Sequence, residues 1–194
     1  MILGLTGFSG AGKSTVAEIL KENGFYHLDC DALVHHEVYR DPAVLAAVEA
    51  AFGGVVKNGV LDRPALRTKT MGNREALKKL NNTVMPFILA HIQAKLEQHK
   101  AENIVLDAPL LFESGLNRQC HRVLSVIAPA DEALERIILR DGLSRAEAEK
   151  RLASQHPASY YIEKSDYILN NNKGLPALRQ ETLELLDKLY DEAL

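Results

Sequence analysis

Near the N-terminus, Gly7-Phe8-Ser9-Gly10-Ala11-Gly12-Lys13-Ser14 satisfies the pattern G-x-x-x-x-G-K-[ST] in full. Several backbone N–H groups can converge on one phosphate only where glycine permits unusual dihedrals and close approach. The pattern therefore demands a buried strand before it and, after it, a helix whose positive end faces the anion. Both are present. Ile2 to Thr6 is a short apolar run closed by Gly7, as in a parallel strand buried on both faces. From Lys13 onward Val16, Ile19 and Leu20 share a helical face, and Asn23-Gly24 is a stop signal. In this setting Lys13 reaches the β- and γ-phosphates of a nucleotide and the Ser14 hydroxyl ligates Mg²⁺. At average glycine usage, chance would produce the whole pattern in about one per cent of chains this long.

Downstream, Phe25 to Leu28 reads as a second strand, closed by Asp29-Cys30-Asp31. Strand, glycine-rich turn, helix and strand make the opening βαβ unit of a parallel sheet, so the fold class is α/β. Residues 32 to 101 break that rhythm, being far longer than the dozen or so residues a crossover needs. Leu77, Leu80, Val84, Ile88, Ile92 and Leu96 form a helical stripe in which Pro86 predicts a kink or two abutting helices. Phe52-Gly53-Gly54 and Asn58-Gly59 mark turns, and Asp62 with Pro64 marks a helix start. Strands are expected again at Asn103–Leu106, Arg122–Ile127 and Tyr167–Leu169. Helices are expected over 131–140, over 144–155 with a Ser144/Glu147 capping box, and along the leucines from Leu175 to Leu189. No repeat, low-complexity tract or linker separates independent domains.

The acids that follow strands are the next candidates. Asp107 ends the run Ile104-Val105-Leu106, the position of a Mg²⁺-holding aspartate, although Pro109 two residues on also fits a helix that Asp107 would cap. Asp29 and Asp31 sit where open α/β sheets bind ligands, and a carboxylate there can orient a hydroxyl nucleophile and accept its proton. Capping the next helix is an equal reading for Asp31. Arg136 and Arg140 lie four apart on one helical pattern and suggest a lid that neutralises charge developing on a triphosphate, against the plainer reading of a solvated face. His35-His36 are adjacent and so face different ways on a helix, which argues against a metal pair.

The net charge of −3 and the lack of any basic block disfavour a nucleic-acid partner. No apolar run approaches the roughly 20 residues of a membrane helix, and no signal-peptide pattern is visible. With Cys30 and Cys120 far apart, a reduced, cytoplasmic protein is expected, with no obligate protein partner evident.

Beyond single motifs, the chain resembles the dephospho-coenzyme A kinase family nearly end to end. The likeness rests on Leu5-Thr6-Gly7 with Gly10-Ala11-Gly12-Lys13-Ser14-Thr15, Leu28-Asp29-Cys30-Asp31, Phe52-Gly53 and Leu61-Asp62-Arg63 with Leu66. It continues through Asp107-Ala108-Pro109-Leu110-Leu111-Phe112-Glu113, Arg136 with Arg140, Gln155, and Ser165-Asp166-Tyr167-Ile168-Leu169-Asn170-Asn171. The resemblance implies a P-loop kinase of three layers, with a five-stranded parallel sheet, a helical substrate-binding insertion and a helical lid. Its core would span about 1–31 and 102–194, the coenzyme-binding insertion about 32–101 and the lid about 136–156. The implied reaction moves the γ-phosphoryl group of ATP to the ribose 3′-hydroxyl of dephospho-CoA, with Mg²⁺. By the same likeness Asp31 is the base, Lys13 and Arg140 act on the phosphates, and residues Gly10 to Thr15 cradle the nucleotide. Asn171 lies near its adenine, Ser14 and Asp107 hold the metal, and Arg63, Leu110 and Phe112 join Asp31 in binding substrate. Two positions depart from the family: Met85 stands where it often has His, and Phe8 replaces a common glycine, altering the outer wall of the loop.

Overall fold

The computed structural model describes residues 1–191 and contains one five-stranded parallel sheet. Its strands are β1 (Ile2–Thr6), β2 (Phe25–Asp29), β5 (Asn103–Asp107), β6 (Arg122–Ile127) and β7 (Tyr167–Asn170). They are ordered β2-β5-β1-β6-β7, so β1 is central, with Leu5 opposite Asp107 in β5 and Leu124 in β6. Leu3 and Leu5 have no exposed surface, which explains the unbroken apolar run. Gly4, between them, is there for space: a Cβ would come within 2.7 Å of Cys120 Sγ and 2.9 Å of a Leu111 methyl. Burial, with Asp166 nearby, pushes the Cys120 thiol up to about 12, so it packs as a neutral group.

The chain divides into two compact units, residues 1–28 with 99–194, and residues 29–98. In the first, α1 (Lys13–Glu22) lies over β1, β5 and β6 and packs on α9 (Leu175–Asp191). Val16, Ala17 and Leu20 of α1 meet Leu178, Leu185, Leu186 and Leu189 of α9 in the core. Leu175 is mostly exposed, so the stripe in α9 begins one turn later than the leucine pattern suggests. After β6 come α6 (Ala130–Asp141) and α7 (Arg145–Ala153), the latter opened by the expected reciprocal Ser144/Glu147 capping box. A short helix α8 (Ala158–Lys164) was not expected; it has too few residues for a clear periodicity.

The second unit is mainly helical, with α2 (Cys30–His36), α3 (Pro42–Phe52), α4 (Arg63–Thr70) and α5 (Arg74–Gln98). Helices α2, α3 and α4 each pack on α5, and Val84, Ile92 and Leu96 supply its buried stripe. Of the two arrangements expected at Pro86, a pair of abutting helices does not occur. Helix α5 runs unbroken through the proline, whose missing N–H leaves the carbonyl of Asn82 without its helical donor. Both residues are exposed, so water can satisfy that carbonyl. The Asn58-Gly59 turn joins two short strands, β3 (Val56–Lys57) and β4 (Val60–Leu61), too brief for an alternating pattern to be read. Asp62 caps α4 as expected, accepting from the Ala65 N–H. Among the described residues, no helix is long and apolar enough to cross a membrane.

One side chain knits α3 to the hairpin: the Glu49 carboxylate accepts N–H bonds from Gly54, Val55 and Val56 at 2.6, 2.9 and 2.7 Å. Those bonds hold its carboxyl below the usual value. The stability it contributes is complete above the unfolded-state value of about 4.3 and drains away as pH falls through the lowered folded-state value. Glu49→Gln should therefore flatten the acid limb of a stability–pH profile measured by urea unfolding. Gly4→Ala should destabilise the protein by about 1–3 kcal/mol through overpacking. Cys120→Ala in the same chain should recover part of that loss in the same measurement.

Candidate active site

The loop between β1 and α1 lies at the carboxyl end of the central strand. From there the chain builds one neighbour, β5, only after β2, and then crosses to β6 on the other side. Such a switch of direction opens the crevice in which parallel sheets bind ligands. The loop is close-fitted. Gly7 has φ 143° and Gly12 has φ 107°, and a Cβ would lie 2.2 Å from the Val126 carbonyl oxygen at the first and 2.4 Å from Asn171 Nδ2 at the second. Any other residue at either place would carry both backbone strain and a clash.

Phe8 does not form an outer wall. It is 6% exposed, sits in the core, and packs on Tyr161 of α8 with ring centroids 6.0 Å apart. The bulky residue that replaces a glycine of the family thus anchors the loop.

Lys13, the first residue of α1, pairs with Asp107, the last residue of β5. The other oxygen of Asp107 lies 3.2 Å from His27 Nε2 on β2. Burial opposes the charge on Asp107, but the His27 hydrogen bond and the Lys13 ammonium outweigh it and hold the carboxyl below its ordinary value. Asp107 caps no helix, because residues 109–115 form turns rather than a helix. Its plainer reading is thereby excluded. His27 was missed in the sequence; the only signal was a lone polar ring between Tyr26 and Leu28 in an otherwise apolar strand.

The donor set suits a hard cation. An ionised, buried carboxylate and the hydroxyl of Ser14, exposed on the first turn of α1, are oxygen groups of the kind Mg²⁺ accepts alongside phosphate oxygens. Thr15 follows, its N–H bonded to the Gly12 carbonyl at 3.1 Å.

Several side chains converge on the loop from α6, from the segment after α7 and from the end of β7. Arg140 reaches the Ser9 hydroxyl at 3.2 Å and forks onto Asp141 at 2.8 and 2.9 Å. Gln155 accepts from the Ser9 N–H at 2.7 Å. Arg136 points elsewhere than Arg140: it donates to the carbonyls of Gly10 and Asn171, each at 3.2 Å, and to Glu132 at 2.6 Å. It therefore serves the loop and not a solvated face. Asn171 is 7% exposed and its side-chain amide donates to the Ala11 carbonyl at 2.9 Å, a commitment to the loop that the likeness did not imply. In the turn after β5, Leu110 is exposed, Leu111 is fully buried, and Phe112 is half-buried, edge-on to Tyr160 at 5.8 Å.

In the unit 29–98, the structure separates the two acids that follow β2. Asp29 is the N-cap of α2, its carboxylate accepting from the Ala32 N–H at 2.9 Å. Asp31 is the second residue of that helix and exposed, so the capping role belongs to Asp29. Arg63 leans on the far end of the same helix, 3.0 Å from His35 Nδ1 and 3.3 Å from the His35 carbonyl.

Comparison with known proteins agrees with this geometry. The dephospho-CoA kinase family model matches residues 1–177. A dephospho-CoA kinase of Mesorhizobium japonicum is 38% identical over 192 residues, covering 97% of this chain and 96% of its own. One from Fusobacterium nucleatum is 37% identical over 180 residues, covering 92% and 93%. The solved dephospho-CoA kinase of Campylobacter jejuni superposes with a TM-score of 0.75 at 28% identity, over 100% of this chain and 98% of that one. A strand, a phosphate loop and a buried acid, matched along nearly their whole length to these relatives, place this chain in the dephospho-CoA kinase family.

Proposed function

We propose that Lys13, Asp31 and Arg140 carry the family's reaction in this chain, the ATP-dependent phosphorylation of the ribose 3′-hydroxyl of dephospho-CoA, which yields CoA and ADP and completes coenzyme A synthesis. The observation that carries this reading is the pairing of Lys13 with a buried, ionised Asp107 at the mouth of the glycine loop.

The roles follow from charge and position. The loop from Gly10 to Thr15, backed by Asn171, receives the triphosphate of ATP, and the Lys13 ammonium lies against its β- and γ-oxygens. Ser14 and Asp107 would hold Mg²⁺, which supplies charge neutralisation for the migrating phosphoryl group. Asp31, in the first turn of α2 at the carboxyl end of β2, orients the 3′-hydroxyl and takes its proton as the phosphoryl group departs ADP. Arg140, at the exposed end of α6, balances charge on the transferring group, with residues 136–156 acting as a lid. Residues 32–101 bind the coenzyme, Arg63 offering a fixed cation, while Leu110 and Phe112 offer apolar contact from the turn after β5. The two free cysteines suit a reduced compartment, and the cytoplasm is the proposed location.

Lys13→Ala should lower kcat/KM at least about a hundredfold, the scale of losing one preorganised electrostatic donor. Asp31→Asn should leave ATP binding unchanged by calorimetry yet cut turnover about 10²- to 10⁴-fold. Near-normal turnover of that variant with ATP and dephospho-CoA would remove Asp31 from the base role. ADP release measured against nucleoside monophosphates and shikimate should favour dephospho-CoA by orders of magnitude.

A further inference from the structure

Two consecutive peptide groups of the phosphate loop are gripped from behind. In the first, joining Gly10 and Ala11, the carbonyl accepts from Arg136 at 3.2 Å and the N–H donates to the Phe8 carbonyl at 3.2 Å. In the second, joining Ala11 and Gly12, the carbonyl accepts from Asn171 Nδ2 at 2.9 Å. That bond is trans, so the Gly12 N–H points away from Asn171, opposite the carbonyl that Asn171 holds. The orientation of the Asn171 amide is fixed by chemistry: its partner is a carbonyl, which accepts only, so the NH₂ end must face it.

The grip is itself secured. The second arm of the Arg136 fork holds the Asn171 main-chain carbonyl at 3.2 Å, and the Asn171 N–H donates to Ile127 at 2.8 Å. Glu132, one turn before Arg136 on α6, accepts from the same guanidinium at 2.6 Å. The bare Cα of Gly10 lies against α6, where a Cβ would come within 2.3 Å of the Ala133 carbonyl oxygen, and that of Gly12 lies against Asn171. Loop, helix and asparagine are fitted as one piece.

We infer that Asn171 and Arg136 are positioning residues for phosphoryl transfer, a brace that turns the Gly10 and Ala11 carbonyls outward so that the Gly12 amide is presented to the triphosphate. A loop carbonyl rotated inward would set a partial negative charge against an anion in place of a donor. Asn171 thus acts on the phosphates through the backbone, not on the base. This rests on the reading that the loop holds ATP.

The test uses the full chain and four proteins: wild type, Asn171→Ala, Asn171→Asp and Arg136→Lys. Binding of Mg-ATP and of inorganic triphosphate is measured by calorimetry, alongside steady-state kinetics and thermal midpoints. Asn171→Ala should weaken ATP and inorganic triphosphate by the same factor, about tenfold to a hundredfold, the scale of one buried acceptor left unmet. The KM for dephospho-CoA should stay put. Asn171→Asp should not rescue, because a carboxylate cannot donate to the Ala11 carbonyl. Arg136→Lys keeps the charge but offers one nitrogen where the fork spans the two carbonyls with two, and it should weaken both anions in a protein that stays folded. Loss confined to ATP, with inorganic triphosphate unaffected, would overturn the brace and assign Asn171 to the base. A lowered thermal midpoint with unchanged affinities in all three variants would make both residues merely structural. Failure of the wild type to bind ATP would overturn the nucleotide reading itself.

Discussion

A charge taken out of water is stable in a protein only if a partner replaces what water supplied. Asp107 is 4% exposed at the end of β5, and its two oxygens are met by Lys13 on α1 and His27 on β2. Three separate stretches of the chain meet at this carboxylate. Its place is fixed by register, because β5 lies directly beside β1 and puts Asp107 opposite Leu5, two residues before the loop begins. Were β5 to slip by one residue, the side chain would turn to the other face of the sheet and leave the Lys13 ammonium without its counter-charge and the His27 ring without its partner.

Within each unit, neighbouring polar groups of the same type take separate duties. The two aspartates after β2 show this well. A helix N-terminus needs one acceptor, and Asp29 supplies it, leaving Asp31 out of the cap. The two arginines of α6 divide in the same way. Arg136, half-buried, fastens main-chain carbonyls, whereas Arg140, one turn on and exposed, meets the Ser9 hydroxyl and its neighbour Asp141.

Much of this was legible before any coordinates. The strands β1, β5 and β6, the helix α1 and the capping box at Ser144 came from local patterns that the tertiary structure reinforces: apolar runs, the glycine-lysine motif, and a serine three residues before a glutamate. The features that escaped are those for which spacing is silent. The contact of His27 with Asp107 joins residues 80 apart in sequence, and that of Asn171 with Ala11 joins residues 160 apart. The β3–β4 hairpin and α8 are too short to develop a period. Pro86 does not divide α5 in two, because the loss of one helical bond weighs less when the orphaned carbonyl faces solvent. Phe8 misled because a glycine-to-aromatic change in a loop looks peripheral until the ring is seen entering the core.

The burial of Phe8 also bears on how such a chain can diversify. A nucleotide loop whose second residue is embedded among core side chains, and whose glycines touch backbone at 2.2 and 2.3 Å from any added carbon, tolerates almost no redrafting. Variation must therefore accumulate elsewhere. The segment from residue 29 to 98, a compact body with its own packing, can be recast without disturbing the seat of the loop. A part machined to such tolerances is inherited whole or not at all, and novelty falls to the stretches that fold around their own centre.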